Sequence, residues 1–320
     1  MRAVLLVNPR ARRHGVSPRL LVDLRRTASG RARVVATESL EMLDEAARSL
    51  AKDSTELVVL SGGDGTHMAG LTAVARAFHA AGERPLPRFA LLPAGTVSTV
   101  ASNWGSRGDP MKLLDRALDP GCPSTTRPTL RVRSTNRDGT RATTEERLGF
   151  IFGTGLVARF FDLYYAAGAR GLGTAAQLTA RIFLSSLHGG ALARTVLTPL
   201  PCSLEVDGVR LAPEAWSLVT AAVVRDLGLH MLVTHRAGES LHNPHLVASP
   251  LGPTQLGPRA FRVLAGRPIG GAGAFDDLFT SFTLRFPGGA PGPFVLDGDV
   301  FRANEVTVSA GPPIEVLALG

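Results

Sequence analysis

Leu57-Val58-Val59-Leu60-Ser61-Gly62-Gly63-Asp64-Gly65-Thr66 is the stretch whose reading decides the fold. Its first four residues are an apolar, β-branched run closed by a glycine pair, the pattern of a short buried strand. Past it, Leu71, Val74, Ala75 and Phe78 recur at helical spacing. The segment between therefore joins the carboxyl end of a strand to the start of a helix. Lacking a Cβ, Gly62, Gly63 and Gly65 let backbone approach a ligand closely and accept positive φ. The helix start offers unpaired N–H groups and the positive end of a dipole, which suits phosphate. Asp64 and Thr66 add a carboxylate and a hydroxyl. The string is neither the Walker pattern nor the G-x-G-x-x-G fingerprint.

Outward from this loop, strand and helix patterns alternate. Ala3 to Val7 is an apolar run ended by Asn8-Pro9, Leu20 to Arg26 reads as a helix, and Arg33 to Ala36 as a strand. Leu43, Ala46, Ala47 and Leu50 share a helical face, and Arg88 to Leu92 is a strand stopped by Pro93. This alternation predicts a parallel sheet with helices on both faces, with ligands at the carboxyl ends of the strands. Three such ends carry the informative loops: Asn8-Pro9, Gly62 to Thr66, and Pro93-Ala94-Gly95-Thr96.

Composition shifts near Asp119 to Pro123, and the chain beyond is strand-rich. Strands are expected at Thr129 to Val132, Leu148 to Phe152, Ser217 to Val224, Leu229 to Val233, Ser281 to Phe286, Phe294 to Leu296 and Glu305 to Val308. Ser203 to Leu211 reads as a hairpin with an Asp-Gly turn. One helix is expected, from Thr174 to His188. The fold class is thus an N-terminal α/β domain, residues 1–124, and a C-terminal antiparallel β-rich domain, residues 125–309.

The chain has 320 residues, a formal net charge of +8 and 44% hydrophobic residues, enough for two cores. No apolar run approaches a membrane span, so no transmembrane segment is expected. No signal peptide is read at the start. Cys122 and Cys202 alone argue against a disulfide scaffold or a zinc cluster and fit a reducing cytoplasm. An early arginine cluster from Arg10 to Arg33 permits an anionic membrane surface or a polyphosphate as partner. No zinc finger or aromatic-interleaved basic stretch supports nucleic acid. The eight histidines are scattered; only His242 and His245 stand close, in a Pro-containing loop, and all are read as non-ligands.

Gly62-Gly63-Asp64-Gly65-Thr66 resembles the signature of the diacylglycerol kinase catalytic-domain superfamily. That group includes bacterial lipid kinases and a sphingosine-kinase-like branch, with NAD kinases more distant. Asn8-Pro9 followed by Arg10, Arg12 and Arg13 is similar to the family's opening motif, whose basic residue faces nucleotide phosphates. Leu92 to Ala101 is similar to its Gly-Thr-x-Asn-Asp-x-Ala motif at Gly95, Thr96 and Ala101. It departs at Ser98 and Thr99, the latter standing where the family has an acid of a magnesium-linked network. A second acid of that network is missing from the stretch Arg127 to Val132, around Thr129. Gly149 to Asp162 resembles the segment beside the lipid acceptor in sphingosine-kinase-like members. Val295-Leu296-Asp297-Gly298-Asp299 resembles the late Asp-Gly-Glu motif.

The resemblance implies a C-terminal β-sandwich, a cleft between the two domains, and a C-terminal segment, about residues 310–320, that returns to the first domain. It implies an ATP-dependent lipid kinase using Mg²⁺, acting on a diacylglycerol- or sphingoid-like lipid at an anionic membrane surface. Such a protein would be cytoplasmic, peripheral to the inner face of the membrane; a homodimer is left open. Asn8, Arg10, Gly62, Gly63, Asp64, Gly65, Thr66, Gly95 and Thr96 would bind the nucleotide. Asp64 would help position Mg²⁺ or the phosphoryl group, and Asp297 would be the general base. Asp207, in a second Val-Asp-Gly turn, is the alternative of lower standing. Phe160, Phe161, Asp162 and the helix around Phe183 would meet the acceptor. Runners-up are a kinase of a small soluble hydroxyl compound, as in NAD kinases, and a catalytically weak lipid-binding relative.

Overall fold

A computed structural model describes residues 2–82, 84–138, 141–168 and 171–320. The chain divides into two compact units, Met1–Arg127 with Pro313–Gly320, and Pro128–Pro312.

The first unit is built on a six-stranded sheet. Its strands are β1 (Ala3–Val7), β2 (Ala32–Ala36), β3 (Leu57–Gly62), β4 (Arg88–Pro93) and β5 (Ser124–Arg127), joined by the last strand of the chain, β20 (Ile314–Leu317). Their order is β2-β1-β3-β4-β20-β5. All neighbouring pairs are parallel except β20 with β5. The helices are α1 (Arg12–Val16), α2 (Pro18–Ala28), α3 (Leu40–Lys52), α4 (Asp64–Ala80), α5 (Thr99–Asn103) and α6 (Pro110–Ala117). β1 and β3 are buried throughout, as runs without polar alternation must be when both faces are covered. Leu5, Val7, Leu57, Val59, Ala90 and Leu92 form one core with Leu24 of α2 and Leu114 of α6. Helix α3 starts where the Ser39 hydroxyl accepts the Met42 N–H, a side-chain cap. Its buried face is Leu43, Ala47, Leu50 and Ala51, the spacing read from the sequence.

The second unit holds two six-stranded sheets. One contains β6 (Leu130–Asp138), β7 (Arg141–Gly149), β10 (Ser203–Val206), β11 (Val209–Arg210), β16 (Ser281–Arg285) and β19 (Glu305–Ala310). The other contains β8 (Ile151–Gly155), β13 (Leu218–Ala222), β14 (His245–Ser249), β15 (Phe275–Leu278), β17 (Gly292–Leu296) and β18 (Asp299–Ala303). Their pairings are antiparallel. A short pair, β9 (Leu200–Pro201) with β12 (Ala215–Trp216), is separate. Phe152 of β8 meets Phe282 of β16 edge to face at 5.5 Å and stacks on Phe294 of β17 at 5.7 Å. These rings join the two sheets.

Two sequence expectations fail here. Residues 229–233 form no strand, because Leu229 and His230 are both left-handed, with φ of 54° and 59°; the turn closes where Met231 N donates to Gly228 O. Among the described residues the unit also has not one α-helix but five: α7 (Leu156–Ala166), α8 (Leu172–Leu187), α9 (Ala191–Leu197), α10 (Pro253–Leu256) and α11 (Ala260–Leu264). Ile182, Val196, Leu197, Leu256 and Val263 from these helices share a core with Leu218 and Val247 of the sheet. Residues 133–138 and 141–147, for which the sequence reading assigned no element, complete the long β6–β7 pair. That pair carries charged side chains on its exposed faces, which hides its strand periodicity.

Candidate functional site

In the first unit the order β2-β1-β3 reverses direction between β1 and β3, so these strands flank a topological switch point. The loops that leave their carboxyl ends are Asn8 onward and Gly62 onward. Asn8 Nδ2 donates to Thr66 Oγ1 at 2.9 Å, closing one loop on the other. Asn8 Oδ1 accepts the Arg10 N–H at 2.9 Å, which holds the Asn amide in that orientation.

Gly63 is the N-cap of α4, and Asp64, Gly65 and Thr66 form its first turn. The first intrahelical bond is donated by His67 N to Gly63 O. The glycine string is thus the tip of a 17-residue helix, and its leading N–H groups have no helical acceptor. None of Gly62, Gly63 and Gly65 adopts positive φ, so the expected left-handed backbone is corrected. Crowding explains the glycines instead. A Cβ on Gly62 would stand 2.4 Å from Thr66 Cβ. A Cβ on Gly95 would stand 2.4 Å from Gly63 Cα. The second and third loops therefore touch backbone to backbone.

Asp64 adds a further tie. Its Oδ2 accepts Thr99 N at 2.8 Å and its Oδ1 accepts Val100 N at 3.0 Å. It thereby caps α5, whose own N-cap, Ser98, is left-handed and makes no side-chain cap. Arg13 joins the same corner: its N donates to Ala94 O and its Nη1 to Pro93 O at 3.1 Å. Arg10 and Arg12 are exposed. Beneath the loops lie two buried histidines. His14 Nε2 meets Ser61 Oγ at 3.0 Å, and His67 Nε2 meets Leu92 O at 3.3 Å. Burial pushes both imidazoles below their usual pKa; at His67 the nearby Asp64 charge opposes this.

The first unit thus brings together Asn8, Arg10, Gly62 to Thr66, and Gly95-Thr96. The three loops hold one carboxylate, Asp64, and each of its oxygens already accepts an amide. That donor set does not fit a magnesium site made by these loops alone. Thr99, at the position of a family acid, is buried and accepts Asn103 Nδ2 at its carbonyl. Thr129 is also fully buried, and its hydroxyl donates to Pro312 O at 2.8 Å.

In the second unit Asp297-Gly298 is the two-residue turn between β17 and β18, with φ of 51° and 92°, values that a type I′ hairpin requires. Asp297 Oδ2 accepts Phe150 N at 2.9 Å and Oδ1 accepts Ile151 N at 3.0 Å. The carboxylate is 4% exposed and locks the β7-to-β8 corner; a Cβ on Gly149 would come 2.5 Å from Oδ2. Asp207 does the same job at its own turn, accepting Thr280 N and Ser281 N. The two Asp-Gly turns differ in burial, not in design. Asp299, which stands where the late Asp-Gly-Glu motif has its Glu, is the carboxylate of this hairpin to which the sequence reading gave no role. Its tip reaches solvent, but surrounding protein desolvates it and raises its pKa, with Arg147 opposing. Tyr165 Oη donates to Gly298 O at 2.6 Å, beside it.

Phe160 and Asp162 are not brought together. Both lie on α7, two positions apart, which puts them on different helix faces. Phe160 packs on the helical core and stacks with Tyr164 at 6.2 Å, whereas Asp162 is exposed. The helix around Phe183, also expected beside the acceptor, is where exposed apolar side chains gather. Leu184 and Leu187 of α8 and Phe261 and Leu264 of α11 are 59%, 54%, 66% and 40% exposed. Phe183 and Phe261 join the two helices edge to face at 5.2 Å.

Residues 2–122 match the family profile of the diacylglycerol kinase catalytic domain. Comparison with curated proteins returns no match. Among solved structures, a putative diacylglycerol kinase from Bacillus anthracis str. Sterne has a TM-score of 0.67 at 13% identity, over 99% of this chain and 96% of that one. A second structure from that strain, described as a diacylglycerol kinase, has 0.61 at 12%, over 99% and 96%. Yeast NADH kinase, solved with NADH, has 0.53 at 12%, over 99% and 83%. At such identities these neighbours are similar in fold.

Proposed function

We propose that this chain, which belongs through residues 2–122 to the diacylglycerol kinase catalytic-domain superfamily, moves the γ-phosphoryl group of ATP to a hydroxyl of a diacylglycerol- or sphingoid-like lipid. One observation carries the nucleotide half of this reading: the contact of Gly63 with Gly95 at the switch point, over the open N–H groups of α4. Phosphoryl transfer asks mainly for alignment and for stabilisation of charge on the phosphate oxygens. Backbone amides at a helix start provide both without a mobile side chain. Arg10 is a further candidate for the phosphates, and Thr66, held by Asn8, presents a fixed hydroxyl.

Asp64 acts here as a positioning residue that holds the second and third loops in register. Mg²⁺, which the residues of these loops do not hold by themselves, would supply neutralisation of phosphate charge. The acceptor hydroxyl still needs a proton acceptor. Asp297 was the expected base. We assign the proton to Asp299 and give Asp297 the task of fixing the turn. Support comes from the amides on both Asp297 oxygens and from the raised pKa of Asp299, which makes it the stronger base.

The lipid half rests on the apolar group Leu184, Leu187, Phe261 and Leu264. Arg181, Arg262 and Arg267 are exposed on the same two helices and the segment after them. Apolar side chains ringed by arginines suit an anionic lipid surface. Among the described residues no helix is long and apolar enough to cross a membrane.

A soluble hydroxyl compound is the second reading, favoured by the likeness to NADH kinase. The assay is product formation from labelled ATP with a panel of diacylglycerols, sphingoid bases and NAD. A labelled lipid supports the proposal. Labelled NAD alone replaces it with the second reading, and no product at all points to a lipid-binding relative without kinase turnover.

A further inference from the structure

We propose that His235, His245 and Asp276 form a transition-metal site, best suited to Zn²⁺, in the second unit. The ligand atoms of these three side chains all lie within 4.8 Å of one another. The β14–β15 register explains two of them. Val247 pairs with Asp276 and His245 with Leu278, so His245 and Asp276 are diagonal neighbours on one face of the sheet. His245 Nε2 stands 2.9 Å from Asp276 Oδ1. His235 comes from the irregular segment after β13 and stands edge-on to His245, with ring centroids 4.9 Å apart.

The hydrogen bonds of the cluster leave one carboxylate oxygen unpaired. His235 Nδ1 lies 3.4 Å from Val233 O. A carbonyl can only accept, so Nδ1 carries the proton and Nε2 presents a lone pair. That lone pair faces Asp276 Oδ1 at 4.0 Å. Asp276 Oδ2 is buried with no hydrogen-bond partner. The guanidinium of Arg236, next in the chain to His235, is committed to Asp277 at 2.5 Å and to Glu239 at 3.0 Å. Asp276 Oδ1 is already paired with His245 Nε2, so the acceptor left with nothing to accept is Oδ2, in a site that is 13–14% exposed at His235 and Asp276 and closed at His245. A buried polar atom without a partner is costly, and a cation between this carboxylate and the His235 lone pair satisfies it.

Two imidazoles and one carboxylate are a borderline donor set. It suits Zn²⁺ with a fourth position left for water, whereas Mg²⁺ and Ca²⁺ favour all-oxygen shells. Bound donors lie about 2.0–2.2 Å from zinc, hence roughly 3.3–3.6 Å from one another. Reaching that geometry requires His235 to move inward and His245 and Asp276 to separate slightly. His235 is already oriented by the Val233 carbonyl, as metal-binding histidines commonly are. His245 now takes the Arg236 N–H at Nδ1, a 3.4 Å contact. Binding at Nε2 replaces the proton shared with Asp276, moves it to Nδ1 and gives up that long contact. The ion would pin the segment carrying His235 to the β14–β15 edge.

The test uses the full chain, stripped with chelator and dialysed against Zn²⁺, with metal counted by mass spectrometry. Co²⁺ serves as a spectroscopic probe of coordination number. One equivalent of zinc is expected, with a four-coordinate Co²⁺ spectrum and a higher melting temperature. His235→Gln should weaken uptake by about 100-fold or more, the scale on which metal-site residues act. His230→Gln, at an exposed histidine outside the cluster, should bind as the parent does. His235 lies in a turn segment outside the sheet and is partly exposed, so its variant keeps the test sound if His245→Gln, at a fully buried strand residue, fails to fold. No zinc on the parent chain, or full uptake by His235→Gln, overturns the proposal.

Discussion

Gly63 and Gly95 meet backbone to backbone: a Cβ on Gly95 would lie 2.4 Å from Gly63 Cα, and one on Gly63 3.2 Å from Gly95 Cα. Two loops from neighbouring strands thereby share one surface. Gly95→Ala should force them apart, at a cost of about 1–3 kcal/mol as an overpacking change. ATP affinity should fall with it, because the amides of α4 lose their fixed place. Calorimetric titration of ATP and thermal melting check both. Unchanged ATP affinity in a folded Gly95→Ala chain would show that this contact does not shape a phosphate site.

Asp297 and Asp299 separate by what each carboxylate touches. Asp297→Asn turns an amide donor toward the Phe150 or Ile151 N–H and leaves a buried group unpaired. It should cost about 1–3 kcal/mol of stability. Asp207→Asn, at the exposed turn, should cost less. Asp299→Asn should leave the melting temperature nearly unchanged and lower kcat by about 10²–10⁴, the usual worth of a general base. A large kcat loss in Asp297→Asn at full stability, with Asp299→Asn active, would return the base to Asp297.

The histidines beneath the loops predict a pH dependence. Burial lowers the pKa of both His14 and His67, so the unfolded chain, with imidazoles near about 6.5, binds protons before the native one does. Their stabilising effect is therefore full above about pH 6.5 and is lost as pH falls from there through the lowered native values. Urea melts between pH 8 and pH 5 should show this decline. His67→Gln should flatten it, and an equally steep decline in that variant would assign it elsewhere.

Membrane docking is expected to need both apolar and basic groups. Vesicles containing anionic lipid should bind the chain at low salt and release it as salt screens the arginines. Leu184→Ser with Phe261→Ser should reduce binding at every salt concentration while the fold holds, since both side chains are exposed. Equal binding to neutral and anionic vesicles at low salt would remove the electrostatic part.

Much of the first unit was legible in its residues. A run such as Leu57 to Leu60, apolar on both faces, has few places to go except a covered parallel sheet. The family signature at Gly62 to Thr66 was legible for the same reason: little but glycine fits where a strand turns into a helix against another loop. The second unit was harder to read. Its β6–β7 pair is charged on its exposed side, and the apolar content of α7 resembles that of a strand, so local pattern did not separate it, whereas α8 was legible as the helix expected from Thr174 to His188.

The sequence by itself determined the alternation of buried strands and helices, the three loops at the strand ends, and the likeness of residues 2–122 to a kinase catalytic domain, because each rests on residues near one another in the chain. Tertiary structure alone decided what those residues do. Asp64 grips the amides of α5, thirty-five residues on; Asp297 grips Phe150 and Ile151, about 147 residues back. Whether a carboxylate is free to act depends on which amides reach it, and pairing between distant strands, not spacing along the chain, sets that. The same pairing carries Asp276 to His245 and makes a cluster of residues that no local pattern joins.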